Sequence, residues 1–255
     1  MYGLFNKPLN FNYSLSSIIN YPYVITINMC GRFSNNAKPD WYKREFKVGK
    51  LNPAVFKSRY NIAPSQNIDA IIEPNKERVI QQLKWGLVPS WAKDAEIGNR
   101  MINARAETIT EKPSFREAFR KRRCIIPASG FYEWQKKGSG SKQPFYFYLK
   151  EKDIFGFAGL WEEWLDKSTG ELLETCTIIT TEANEVLQPV HHRMPVILKA
   201  ESYDEWLDAS VKEEHRLERL LVPYPAEEMS SHAVSLSVNI PDVDSPELIK
   251  PINSL

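Results

Sequence analysis

The sequence lacks a long uninterrupted apolar run and is poor in cysteine and in net charge. No apolar stretch approaches the roughly 18–20 residues that a membrane-spanning helix needs, although 42% of the 255 residues are hydrophobic. Three cysteines without a C-x-x-C pair argue against a disulfide framework and against a zinc site. The expected setting is therefore the reducing cytoplasm. A formal net charge of +1 gives no indication of a nucleic-acid partner.

The first 28 residues differ in composition from the rest of the chain. They are rich in Asn, Tyr and Ser and carry one charged residue, Lys7. They do not resemble a signal peptide, because the apolar stretch is broken by Asn20 and Pro22 and no cleavage motif follows. We expect residues 1–28 to be an extension without function, or the result of a start codon assigned too far upstream. Residues 29–255 are expected to form the working domain.

Beyond residue 28, short runs of β-branched and aromatic residues alternate with turn signals. Six runs are predicted to be strands: NIDAIIE, RVIQQLKWGLV, RCIIPASGFYEW, PFYFYLK, IFGFAGLWEEW and ETCTIITT. The segment KKGSGSKQ, with Gly138 and Gly140, is predicted to be a hairpin loop.

Helical patterns are fewer than strand patterns. Ser114 and Glu117 have the spacing of a capping box at the start of SFREAFRKR. The other two predicted helices are TEANEVLQ and ESYDEWLDASV. Together these patterns predict an α+β fold: a single compact domain with a mainly antiparallel sheet, curled toward a barrel, and a few flanking helices.

Several polar residues stand at the ends of apolar runs, where side chains can converge on a cleft. In NARAET, Asn103, Arg105 and Glu107 alternate, and on a strand they would share one face. Glu133 lies within the aromatic run GFYEWQ. It is either the outward position of an amphipathic strand or a partly desolvated acid with a raised pKa. For Glu133 alone, the outward position is the simpler interpretation.

Other candidates have ordinary structural interpretations. His191 and His192 precede Arg193 in a loop, and without an H-x-x-x-H pattern a surface pair is the default. Cys124 and Cys176 lie within strand runs and are expected to be inert core thiols. Tryptophans such as Trp91 would ordinarily pack in the core or at its rim. The basic run KPSFREAFRKRRC is either a solvated helix face or a contact for nucleic acid.

Taken together, the motifs resemble one family. From Met29 to its end the chain resembles the SRAP family, the SOS-response-associated peptidases, which are understood as abasic-site processing proteins. The resemblance rests on motifs in a fixed order: MCGRF, RYNIAPSQ, WGLVPSW, NARAET, PSFREAF, RRCIIPASGFYEW, QPFYFY, FAGLWE, TIITTEAN and HHRMPVIL.

The resemblance implies a catalytic set and a DNA-binding set. The catalytic set falls on Cys30, Asn103, Glu133 and His191. The DNA-binding set comprises the phosphate-binding residues Arg32, Arg105 and Arg193, together with Trp91 and Pro64 as apolar walls against bases. In this family the amine of the cysteine must be free. The residues before Cys30 are therefore expected to be absent or removed.

The chemistry of an N-terminal cysteine supports this interpretation. Its α-amine has a reference pKa of about 7.7–8.0, so at neutral pH on the order of a tenth is uncharged and nucleophilic. Such an amine attacks an aldehyde to form an imine, and the thiol of the same residue then closes a thiazolidine ring. A ring-opened abasic site offers the aldehyde. An internal cysteine has no such amine.

The predicted function is therefore to sense abasic sites in single-stranded DNA and to form a covalent DNA–protein crosslink through Cys30, exposed by self-removal of Met29. Glu133 would shuttle protons, His191 would assist opening of the sugar ring, and Asn103 would orient the sugar or the amine. A monomer without cofactor, metal or membrane contact is expected, associated with DNA in the cytoplasm.

Two rival functions remain open. Cys30, Asn103 and His191 also match a cysteine hydrolase that attacks an acyl group through its thiolate. A hydrolase has no need of a free amine, whereas removal of Met29 provides one. The second rival is a non-catalytic module that binds single strands, which would leave Glu133 and His191 without a role.

Overall fold

The structure is a computed structural model that describes residues 30–49, 56–138 and 140–252. These residues form 13 strands and four short α-helices. The helices are Pro39–Phe46 (α1), Arg116–Lys121 (α2), Tyr203–Leu207 (α3) and Glu214–Glu218 (α4). The strands are Phe33–Asn35 (β1), Arg59–Ile62 (β2), Asn67–Ile72 (β3), Val79–Trp85 (β4), Asn103–Arg105 (β5), Arg123–Ala128 (β6), Gly130–Lys137 (β7), Ser141–Leu149 (β8), Phe155–Leu165 (β9), Leu172–Glu182 (β10), Arg193–Pro195 (β11), Ile197–Leu198 (β12) and Met229–Ala233 (β13).

Five strands close into a barrel. They follow one another around the ring as β3, β4, β10, β9 and β6, and β6 returns to β3. Within this ring only the β4–β10 pair is parallel. The predicted curling of a mainly antiparallel sheet toward a barrel is therefore confirmed.

A second, antiparallel sheet packs against the barrel in the order β13, β8, β7, β1 and β2. Aromatic side chains join the two layers. The Phe33 ring of β1 lies 5.3 Å from the Trp85 ring and 5.8 Å from the Phe157 ring, centroid to centroid, both edge-on. Phe131 of β7 stacks on Phe147 of β8 in the same buried cluster. This packing brings the start of β1 and the middle of β7 to the junction of the two sheets.

The predicted strands are confirmed, with one division. The run RCIIPASGFYEW forms two strands, β6 and β7, separated at Ser129, whose N–H donates to the Ser34 carbonyl at 2.8 Å. The loop containing Gly138 and Gly140 connects β7 to β8, as predicted. Gly138 adopts the left-handed conformation, with φ +57°, which glycine tolerates without a steric penalty.

The helix predictions are only partly correct. Helix α2 forms, but the predicted capping box does not. The N–H groups of Phe115 and Arg116 already donate to the Lys112 carbonyl, and the helix begins at Arg116 rather than directly after Ser114.

The helix predicted over TEANEVLQ is wrong. Strand β10 continues to Glu182, and turns follow it. The Asn184 side chain accepts a bond from the Leu187 N–H at 3.1 Å, and such local bonds compete with a helix. The segment ESYDEWLDASV contributes the short α3. Across the part of the chain that the structure describes, no helix has both the length and the apolarity to cross a membrane.

Candidate active site

Cys30 and Glu133 come together at the junction of the two sheets. Cys30 lies three residues before Phe33, which pairs with Phe131, and the Tyr132 N–H donates to the Arg32 carbonyl at 3.0 Å. This antiparallel register sets Cys30 beside Glu133. The Glu133 carboxylate faces both the thiol and the backbone N–H of Cys30.

The sequence leaves two alternatives for Glu133, an outward position and a desolvated acid, and the structure supports the desolvated acid. Glu133 is only 4% exposed. Burial raises the pKa of this carboxyl from 4.5 to about 7, although bonds from the Cys30 thiol and from the Cys30 and Trp134 backbone N–H groups act in the opposite direction. Within the described residues its Oε1 atom has no hydrogen-bond partner. A carboxyl group with a pKa near neutrality can both donate and accept a proton.

The Cys30 thiol is held in its protonated form. Burial raises its pKa well above the ordinary value, and the charge of Glu133 raises it further. The sulfur lies 3.9 Å from the Arg193 carbonyl oxygen. The Asn103 side chain donates to the Cys30 carbonyl at 3.2 Å. The thiol and the main chain of Cys30 are thus held from several directions.

Strand β10 positions the residues that the barrel contributes to the site. It pairs in parallel with β5, so that Ile178 lies opposite Asn103. It also pairs antiparallel with β11, which sets Glu182 opposite Arg193. Residues 90 positions apart in sequence therefore reach Cys30 from two neighbours of the same strand.

The main chain of Arg193 orients the His191 ring. The Arg193 N–H donates to His191 Nδ1 at 3.1 Å, and Nδ1 also lies 3.3 Å from the Arg193 carbonyl oxygen. The backbone N–H can only donate and the carbonyl oxygen can only accept, so the first contact requires the proton on Nε2 and the second requires it on Nδ1. The His192 ring lies against that of His191, with centroids 4.5 Å apart.

The side chain of Arg193 is bound within the protein. Its Nη1 and Nη2 atoms donate to both carboxylate oxygens of Glu107, at 2.6 and 2.9 Å. Nη2 also donates to the Thr180 carbonyl at 2.6 Å. The expectation that Glu107 shares a strand face with Asn103 and Arg105 is wrong, because β5 ends at Arg105 and a 3-10 turn follows. This turn brings Glu107 to Arg193.

Arg32 is also buried. Its Nη1 donates to Asn61 Oδ1 at 2.7 Å and to the Val238 carbonyl at 2.6 Å. Burial lowers the pKa of this guanidinium, and its Nε atom has no acceptor among the described residues. A contact between a DNA phosphate and Arg32 or Arg193 stays a prediction.

The remaining predicted DNA contacts lie at the surface. Arg105 is exposed, Pro64 is half-buried, and Trp91 is 58% exposed, so that Trp91 is not a core tryptophan. Cys124 and Cys176 are fully buried, as expected of core thiols. The described residues contain no group of three His, Cys, Asp or Glu side chains arranged to hold a metal ion.

Most of the basic side chains around α2 have partners within the protein. Arg120 pairs with Glu214 at 2.6 Å, and Arg122 pairs with Glu162 at 2.6 Å. Arg123 is buried, and its guanidinium donates to backbone carbonyls, including that of Trp206. These contacts favour the structural interpretation of this run over a nucleic-acid surface.

Fold and site together define a closed β-barrel with an attached sheet and a buried cysteine–carboxylate pair at their junction. The family model for SOS response associated peptidase (SRAP) matches residues 29–241, and the chain belongs to this family.

The chain is similar to proteins from bacteria and vertebrates. It is 46% identical to the abasic site processing protein YoqW of Bacillus subtilis (strain 168) over 223 residues, which cover 87% of this chain and 99% of that protein. It is 32% identical to the abasic site processing protein HMCES of Gallus gallus, over 87% of this chain and 71% of that protein. A crystal structure of a Bacteroides thetaiotaomicron protein superposes with a TM-score of 0.78 at 33% identity, covering 88% of this chain and all of that one (100%).

Proposed function

We propose that this protein processes abasic sites in single-stranded DNA by forming a thiazolidine crosslink through Cys30. One observation carries the proposal: the backbone nitrogen and the thiol of Cys30 both face the buried carboxylate of Glu133. The names of the relatives YoqW and HMCES support the abasic-site role. The crosslink itself is inferred from the chemistry of the residues.

The reaction needs a free amine at Cys30. The family match begins at residue 29. In a chain that starts at Met29, removal of this methionine, by the protein itself or by ordinary methionine removal, would leave the amine of Cys30 free. The amine attacks the aldehyde carbon of the ring-opened sugar, and loss of one water gives an imine. The sulfur then adds to the imine carbon, while the thiol proton passes to the nitrogen. The product is a five-membered thiazolidine, and one water is released overall.

Glu133 has the properties of the proton carrier for these steps. In the processed chain an ammonium group would stand where the backbone N–H now faces Glu133. Glu133 accepts a proton from this ammonium to free the nucleophile, and it returns a proton to the oxygen that leaves as water. Once the ammonium has lost its charge, burial favours the protonated form of the carboxyl group, which can then return its proton, so the same group serves the reversal of the crosslink.

His191 and Asn103 take supporting roles. In the tautomer with its proton on Nε2, His191 is a hydrogen-bond donor that assists opening of the deoxyribose ring. Asn103 holds the Cys30 carbonyl at 3.2 Å and so fixes the direction of the neighbouring nitrogen. The effective concentration of thiol near imine is high because both groups belong to one residue.

The DNA strand is proposed to run across the exposed Arg105 and Trp91 and the half-buried Pro64. Arg105 contacts a phosphate through its guanidinium. Trp91 and Pro64 contact bases beside the lesion, as aromatic and apolar walls do for single strands. Arg32 and Arg193 would meet a phosphate only by exchanging some of their present acceptors.

The state of the thiol weighs against the hydrolase alternative. Cysteine hydrolases attack through a thiolate and lower the thiol pKa with a positively charged partner. Here burial and Glu133 raise the pKa of Cys30. A neutral thiol adding to an imine activated by protonation needs no such thiolate in the resting enzyme.

The test is a denaturing gel. Protein beginning at Met29 is incubated with a single strand that carries one abasic site, and with the same strand intact. A band that survives boiling in detergent is expected only with the abasic strand. Absence of that band from protein verified to begin at Cys30 would refute the proposal.

A further inference from the structure

The main chain of Arg193 contacts two residues of the proposed catalytic set. Its carbonyl oxygen lies 3.9 Å from the Cys30 sulfur, and its N–H donates to His191 Nδ1 at 3.1 Å. The peptide groups on both sides of Arg193 therefore contact both the thiol and the imidazole. A displacement of this short segment would move both groups at once.

The side chain of Arg193 anchors that segment. Two parallel N–H···O bonds join its guanidinium to Glu107, and a third bond joins it to the Thr180 carbonyl. The paired geometry fixes the plane of the guanidinium as well as its position. The Arg193 side chain is 11% exposed, whereas that of Glu107 is 49% exposed. Glu107 thus reaches from the surface to a buried cation.

We propose that Glu107 is a positioning residue, which acts through its paired bonds to Arg193 to hold the Cys30 thiol and the His191 ring in their reactive arrangement. The proposal rests on the proposed function. Neither the motif resemblance nor the strand alternation assigns this role to Glu107. It follows from the 3-10 turn that ends β5 and aims the carboxylate at β11.

A different role for the same contact is a competition between Glu107 and a DNA phosphate for the Arg193 guanidinium. The two roles predict opposite effects of removing the charge. If Glu107 competes with phosphate, its loss should tighten DNA binding and steepen the salt dependence. If Glu107 positions the site, its loss should slow the chemical step and leave binding of intact strands unchanged.

The test compares Glu107→Gln with Glu111→Gln, an exposed carboxylate in the same segment that serves as the matched control. We expect Glu107→Gln to slow crosslinking at saturating abasic DNA by about 10- to 100-fold, since displacements near 1 Å have effects of this size. Affinity for the intact strand should not change. Glu107→Asp, which keeps the charge, should recover part of the rate. Glu111→Gln should have the crosslinking rate and the DNA affinity of the unaltered protein.

A second measurement is independent of crosslinking. The chain has four histidines, and the ring nitrogen resonances of His191 can be assigned from a His191→Asn variant. Glu107→Gln should shift the His191 Nδ1 resonance, while thermal unfolding shows that the variant is folded. Unchanged rate and resonances, or tighter binding to intact DNA, would overturn the proposal. If the unaltered protein forms no crosslink, the proposed function fails, and the resonances alone then decide the role of Glu107.

Discussion

The Cys30 thiol and the Glu133 carboxylate face each other where little water reaches, since the two residues are 4% exposed each. A dry environment disfavours the charged form of both groups and raises both pKa values. The thiol therefore stays neutral at physiological pH, while the carboxyl group titrates near neutrality. A neutral thiol beside a carboxyl group that titrates near neutrality suits imine chemistry, because protons must be transferred before the sulfur adds to the imine carbon.

Replacing the Cys30 thiol by a hydroxyl separates the two steps of the proposed reaction. The Cys30→Ser variant keeps the amine and should still form the imine, but the expected product is not stable to boiling. Borohydride, which reduces an imine to a stable amine, should trap the variant on abasic DNA. Cys124→Ala is the control, since Cys124 is a buried core thiol, and it should crosslink without borohydride. Failure of borohydride to trap Cys30→Ser would contradict attack by the amine.

The raised pKa of Glu133 gives a pH dependence of stability in the chain that retains an amide at Cys30. Between pH 4.5 and about 7 the folded protein binds more protons at this site than the unfolded chain does. Stability from this group is therefore present at low pH and is lost as the pH rises through the folded pKa. The Glu133→Gln variant should not show this loss of stability, because its amide does not titrate.

Urea unfolding at about pH 5 and about pH 8 measures the effect. The stability of Glu133→Gln relative to the unaltered chain should rise between these pH values by at most roughly 3 kcal/mol, the energy of the pKa shift. Glu111→Gln, on the exposed surface, should show no such trend. A difference between Glu133→Gln and the unaltered chain that does not vary with pH would show that Glu133 titrates normally.

The residues of the site are easier to predict from the sequence than the side chains that bind them. Cys30, Asn103 and Glu133 follow from motifs and meet in the structure. The motifs do not predict the contacts of Glu107 with Arg193 and of Asn61 with Arg32. Their roles depend on contacts between distant segments, and only folding brings these together. The alternation through NARAET even places Glu107 on the wrong element, because a 3-10 turn interrupts the strand.

At the scale of elements, β10 organises the barrel side of the site. It pairs with β4 and β5 in parallel and with β9 and β11 antiparallel. Its β-branched sequence predicts a strand, and the prediction is correct. The short strands β5 and β11 have three residues each, too few for a periodic pattern. Local propensity predicts the long strands, but it cannot predict elements that exist through pairing with a neighbour.

A comparison of two arginines tests which element contacts DNA. Arg105→Ala, on β5, should weaken binding to single strands and reduce the slope of log affinity against log salt by about one phosphate contact. Arg120→Ala, on α2, should leave that slope unchanged, because Arg120 is already paired with Glu214. The slopes can be measured by fluorescence anisotropy over a range of salt. Equal effects of the two substitutions would place the DNA on both surfaces.

At the scale of the whole molecule, the site exists because two sheets meet. The second sheet supplies Glu133, while β5 and β11, which pair with β10 of the barrel, supply Asn103 and Arg193. The aromatic cluster around Phe33 and Trp85 fixes the relative position of the layers. The predicted α+β class and barrel are correct. The order of strands and their closure depend on pairings between remote segments, for which a single sequence carries no direct signal.

The proposed nucleophile is the free amine of Cys30. The most direct test compares two versions of the protein whose first residue has been verified by mass spectrometry. One begins at Cys30 and the other retains the residues that precede it. Both are incubated with the same abasic single strand, and the rate of crosslinking is measured on a denaturing gel. We predict that only the version beginning at Cys30 forms the crosslink, since an amide nitrogen cannot form an imine. Equal rates for the two versions would show that the amine of Cys30 is not the nucleophile.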